Sequence, residues 1–131
     1  MRRLTQWFLA AICWLSLLAA GAELTPAAEA EIGHLNDYLL ASQCEFNRNG
    51  TWYNATDAVA HLKLKVEFLN SIGELASSED FIKKVASGSS ASGKPYLVRC
   101  GIAGAATIAE TGPWFRAELA RFRDGAKAKP K

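Results

Sequence analysis

The chain has 131 residues, half of them hydrophobic, with 15 Lys and Arg against 13 Asp and Glu. That length holds one domain with a modest core and excludes a multidomain enzyme. The small formal charge of +2 gives little electrostatic drive toward nucleic acid, so no nucleic-acid partner is expected.

The basic surplus lies at the start. Arg2 and Arg3 precede a run from Leu4 to Ala20 that is apolar apart from Thr5, Gln6 and Ser16, and Ala20-Gly21-Ala22 has the A-x-A pattern of a cleavage site. This reads as an export leader, residues 1–22, cut after Ala22. An uncleaved anchor is the rival, since the run approaches the shortest spanning length, but small residues end it. Losing Arg2 and Arg3 makes the basic and acidic counts equal. Residues 23–124 are expected to form a single domain with no stable membrane span, and 125–131 a basic, disordered tail. Two cysteines outlast cleavage, Cys44 and Cys100. An exported chain meets an oxidising compartment, so a Cys44–Cys100 disulfide is expected. The wide separation lacks the CxxC arrangement of redox catalysts.

Thr25-Pro26 supplies an N-cap and first position for a helix ending near Ala41, with Ala28, Ile32, Leu35 and Leu39 as its apolar stripe. The pattern then alternates, and Asn49-Gly50 predicts a hairpin of about Glu45 to Arg48 and Thr51 to Tyr53. Asn54 caps a second helix. Its stripe is Ala58, Leu62, Val66 and Leu69, widened by Leu64 and Phe68, while Asp57, His61 and Lys65 share a polar face. Gly73 ends it. Ser77 and Asp80 open a short helix through about Ala86, with Phe81, Ile82 and Val85 facing inward. Residues 89–93 are loop, and Tyr96 to Cys100 a strand that the disulfide would bring beside Glu45 to Arg48. Gly101 to Gly112 is rich in small residues and reads as loop. A last helix starts at Pro113, with Phe115, Leu119 and Phe122 at helical spacing. The sum is an α+β domain, three or four amphipathic helices on a small antiparallel sheet.

The densest polar stretch is Gly88-Ser-Ser-Ala-Ser-Gly93-Lys94. Its spacing is that of a Walker A loop, but Pro95 stands where the magnesium-binding hydroxyl belongs, and a helix precedes it instead of a strand. A nucleotide loop is therefore excluded. Backbone N–H groups, hydroxyls and one ammonium could still cradle an anion. A serine nucleophile needs a base in reach, and Ser90 or Ser92 with His61 is the available pair. Only His34 and His61 are free for zinc, so no metal and no cofactor are expected.

Phe46-x-Arg48-Asn49-Gly50, Ala58-x-x-His61-Leu62-x-x-Lys65, Asp80-Phe81-Ile82 and Ser89-Ser90-x-Ser92-Gly93-Lys94-Pro95-Tyr96-x-Val98 occur in that order. Together they resemble the YfeK-like family of small bacterial exported proteins, over roughly Ile32 to Leu119. The resemblance implies a periplasmic domain of unknown function and assigns no reaction or site. The residues themselves point to a non-catalytic binding or envelope-interaction module. Its candidate surface is Arg48, Asn49, His61, Lys65, Ser90, Ser92 and Lys94, facing an anionic or sugar-like envelope ligand or a periplasmic protein. The alternative is a small hydrolase of envelope material using Ser90 or Ser92 with His61.

Overall fold

The computed structural model describes residues 21–101 and 105–128. Most of the expected leader, with Cys13, and the end of the basic tail lie outside them. The element order is α1 (Pro26–Ser42), β1 (Glu45–Arg48), β2 (Thr51–Tyr53), α2 (Ala55–Ser71), α3 (Ser78–Asp80) running on into a π-helical segment (Phe81–Ala86), β3 (Leu97–Cys100), β4 (Thr107–Glu110) and α4 (Thr111–Ala128). The fold is α+β, with four helices packed on a four-stranded antiparallel sheet of order β2-β1-β3-β4.

Local chemistry sets most of the boundaries. The Thr25 hydroxyl accepts from the Ala28 N–H, and α1 stops where Gln43 turns left-handed. The Asn54 side-chain Oδ1 accepts from the Asp57 N–H at 2.8 Å, and the Ser77 hydroxyl from the Asp80 N–H at 3.0 Å. Each capped donor would otherwise be an orphan of the first turn. Asn49 and Gly50 both take positive φ, as a tight two-residue hairpin turn requires. The predicted stripe of α1 is buried throughout, with Leu35 and Leu39 fully so. Phe46 and Val98 stand on the same sheet face and are buried beneath the helices.

Three readings need correction. Residues 107–110 are not loop: they pair with β3 as an edge strand, from Leu97↔Glu110 to Cys100↔Thr107. The tail expected to be disordered from residue 125 is helical as far as Ala128, and the last helix opens two residues before Pro113. Leu64 and Phe68 do not widen the buried stripe of α2. They are 65% and 63% exposed, because no element covers that side of the helix.

The π-helical segment has a tertiary cause. Its carbonyls are taken by side chains from elsewhere, as well as by its own backbone. The Ser87 hydroxyl donates to the Ile82 carbonyl, the Lys65 ammonium to Val85 and the Thr111 hydroxyl to Ala86. Thr111 is fully buried at the β4–α4 junction, and its N–H also donates to the Tyr96 carbonyl. Thr111→Val keeps the shape and removes the donor, leaving the buried Ala86 carbonyl without its side-chain partner. Urea unfolding should show a loss of about 1–3 kcal/mol. An unchanged midpoint would remove Thr111 from the account of this segment.

Across the helical layer, Arg123 of α4 joins Glu31 of α1 and Glu79 of α3. Its hydrogen bond is the main cause holding both carboxyls below their usual range, against the opposing effect of burial. Ala22 donates its N–H to the Gly73 carbonyl at 3.1 Å, so the chain entering the domain is tied to the end of α2. None of the described helices is long and apolar enough to cross a membrane.

Candidate functional site

The β1–β2 hairpin, the middle of α2 and the loop after the π-helical segment meet at one corner of the fold. Arg48 ends β1 on the inner sheet face, next to Tyr53 of β2. Its guanidinium lies over the Tyr53 ring, 5.2 Å from the centroid, and one terminal nitrogen donates to the Tyr53 hydroxyl at 3.3 Å. The other terminal nitrogen sits against His61, 2.9 Å from Nδ1 and 3.2 Å from Nε2. A guanidinium only donates, so it requires a neutral imidazole with a free lone pair. Burial is the first cause lowering the pKa of His61, and the charges of Arg48 and Lys65 lower it further.

Lys65 is one turn along α2 from His61. Its ammonium donates to the carbonyls of Val85 and Gly88, each at 3.1 Å, and to the Tyr96 hydroxyl at 3.3 Å. Those three bonds use all its protons. Lys65 is therefore a strut with a fixed charge, tying α2 to the end of the π-helical segment. Burial, then Arg48, lowers its pKa. Tyr96 is the floor between these groups. Its ring is buried against Phe46, with centroids 5.0 Å apart, and its hydroxyl lies 3.4 Å from His61 Nε2. Burial raises the pKa of that hydroxyl, against the pull of Arg48.

Two adjoining hollows result. A small one of about 130 Å³ has Phe46 and Ala58 among its walls, with Arg48, Tyr53, Asp57 and His61 at its polar side. A wider one of about 280 Å³ brings Arg48, Asn49, His61 and Lys65 together with Ser89, Ser90, Ala91 and Tyr96. Neither Arg48 nor Lys65 has a carboxylate within ion-pairing distance among the described residues. Arg99, Arg121, Arg123 and Lys84 each do. Two fixed positive charges thus face one cleft without a counter-charge.

The structure sorts the residues singled out from sequence. Arg48, Asn49, His61, Lys65 and Ser90 line the cleft. Ser92 is scaffold: its hydroxyl donates to the Asn49 side-chain carbonyl at 2.7 Å, while Asn49 Nδ2 donates to the buried Ser89 hydroxyl at 3.3 Å. The Ser89–Gly93 turn is thereby docked onto the hairpin turn. Lys94 is exposed and lines neither hollow. Its carbonyl closes the loop by accepting from the Ser89 N–H. The Ser–His pair of the hydrolase alternative is not formed. Ser90 lines the same cleft, yet His61 hydrogen-bonds only with Arg48 and Tyr96 among the described residues. Tyr53 and Tyr96 were not singled out as site residues, although Tyr53 falls on the predicted strand opposite Phe46.

Among the described residues no three His, Cys, Asp or Glu side chains gather in a way that could hold a metal ion. Trp52 stands on the opposite sheet face, beneath the Arg99 guanidinium at 4.0 Å from the ring centroid, and takes no part in the cleft. It does not pack onto α2 as a hairpin aromatic might.

An uncharacterized protein of Salmonella typhimurium, YfeK, is 40% identical over 88 residues, which is 66% of this chain and 72% of that protein. No solved structure matches the chain. The family of unknown function DUF5329 matches residues 26–123, three-quarters of the sequence, and the chain belongs to that family.

Proposed function

We propose that this protein is a non-catalytic binding module, exported to the periplasm, that captures an anionic group in the Arg48–His61–Lys65 cleft. The observation that carries the reading is the pair of uncompensated charges. Arg48 and Lys65 converge on one cleft with no carboxylate in ion-pairing distance among the described residues, whereas Lys84, Arg99, Arg121 and Arg123 are each paired. Arg48 is the ligand donor, because Lys65 has its three protons engaged and Arg48 keeps donors free beyond those aimed at His61 and Tyr53. A planar fork suits a carboxylate or a sulfate-like oxyanion. Lys65 adds field without moving, and Ser90 offers a hydroxyl at the rim. Nothing in the cleft activates a nucleophile, which favours binding over turnover. The export leader read from Arg2 to Ala22 supports the location.

Acetate and sulfate should perturb the amide resonances of Asn49–Thr51 and Ser89–Gly93, and Arg48→Gln should weaken that binding roughly tenfold or more. Equal binding by the variant would sink the reading. The N-terminal residue of the protein recovered from a bacterial host, determined by mass spectrometry, should be Glu23. An intact Met1 would remove the periplasmic assignment.

A further inference from the structure

Leu64 and Phe68 on α2 and Ile72 at its C-cap recur at four-residue steps and are 65%, 63% and 54% exposed. They account for most of the large hydrophobic side chains left in solvent on the described residues, and they form one stripe about 12 Å long on the helix axis. A trough of about 320 Å³ runs beside it, with Leu64, Phe68 and Leu69 as apolar walls and His61, Lys65 and Ser90 at one end. Those last three residues also line the cationic cleft that holds Arg48. The apolar trough and the cleft are therefore continuous, with charge at one end and hydrocarbon along the rest.

We infer that this trough takes a single-chain anionic amphiphile, an acyl chain ending in a carboxylate. The head group meets Arg48 beside His61, and the chain lies along Leu64, Phe68 and Ile72. The inference rests on the anion-binding reading above and adds the ligand class to it. Charge complementarity selects this occupant. A second copy seated stripe to stripe would bring two Arg48–Lys65 clusters together with no carboxylate between them, and like charges brought together oppose association. A purely apolar ligand would leave the cationic end unused. An amphiphile matches both ends, and the stripe is the length of a medium acyl chain.

The test is titration calorimetry of the purified protein, as the cell produces it, with acetate, hexanoate and decanoate below their micelle concentrations. Each methylene laid on the stripe should tighten binding about two- to fourfold, so decanoate should exceed hexanoate roughly tenfold to a few hundredfold. Leu64→Ser with Phe68→Ser changes only exposed positions. It should abolish the chain-length gain and leave acetate binding unchanged, whereas Arg48→Gln should weaken all three ligands. If acetate binds through Arg48 and decanoate binds no tighter, the amphiphile inference falls and the anion site stands. If no carboxylate binds at all, the anion site itself falls. A chain-length gain that survives in the serine variant overturns the inference. So does self-association that this variant abolishes, or binding seen only with anionic phospholipid vesicles.

Discussion

Replacing Cys44 and Cys100 by serine should lower the unfolding free energy by about 4 kcal/mol. The two residues are bonded across a sequence separation of 56, with Cα atoms 4.5 Å apart. That loop contains β1, β2, α2, α3, the π-helical segment and β3, so the cross-link restricts most of the unfolded chain. The bridge also stands one residue from the Glu45↔Arg99 pair and staples the end of the two central strands. A domain of this size should lose roughly 15–20 °C in melting temperature. Thermal unfolding of the oxidised protein, the reduced protein and the double serine variant measures it. The last two should coincide. A shift of only a few degrees would mean that strand pairing and the helical core hold the denatured ensemble together without the bridge. Because β1 carries Arg48, the variant should also bind anions more weakly near its melting temperature than well below it.

Much of the scaffold was legible in the sequence because its signals are local. Asn49-Gly50 dictates a hairpin through positive φ, and Thr25, Asn54 and Ser77 cap helices through their own side chains. The first helix announces its buried face by spacing alone. The misses arise where the deciding partner is far away. Thr107–Glu110 is exposed along its length and carries no alternation of apolar and polar burial. Its strand character comes from pairing with β3. The π-helical geometry depends on donors from Lys65 and Thr111, which no window around Phe81 contains. On α2 the spacing places Leu64 and Phe68 next to the buried stripe, but it says nothing about whether another element covers them. The site follows the same division. His61 and Lys65 are visible as one polar face of α2, while the convergence of Arg48 and Tyr96 upon them requires the sheet. Ser92 and Lys94 have the composition of a site and the geometry of a loop closure, a distinction carried by the Asn49 contact of Ser92 and the Ser89 N–H bond to the Lys94 carbonyl.

Sulfate binding should strengthen about tenfold as the pH falls from 7.5 to 5, and His61 should account for the change. In the free protein His61 is held neutral by burial and by the charges of Arg48 and Lys65. Its folded-state pKa lies below the model-peptide value of about 6.5. The stability this contributes is fully present above pH ~6.5 and is lost as the pH falls through the lowered value, because the unfolded state takes up the proton first. A bound anion reverses the local balance. It offsets the Arg48 and Lys65 charges and favours the imidazolium, so binding and protonation help one another. Linkage then requires proton uptake on binding in the window between the free and bound pKa values. Sulfate stays fully ionised there, which leaves the protein as the source of the effect. Burial raises the pKa of the Tyr96 hydroxyl, which moves that group further from the window. Calorimetry in buffers of different ionisation enthalpy would count the protons directly. His61→Gln should bind sulfate with little pH dependence and should remove the acid-side loss of stability in the same range. If the variant keeps the full pH dependence, the proton lies elsewhere and His61 is only a wall of the cleft. If wild-type affinity falls with acid, the imidazolium and the anion do not share the cleft, and Arg48 would have to bind its ligand on the Tyr53 side, within the small hollow floored by Phe46 and Ala58.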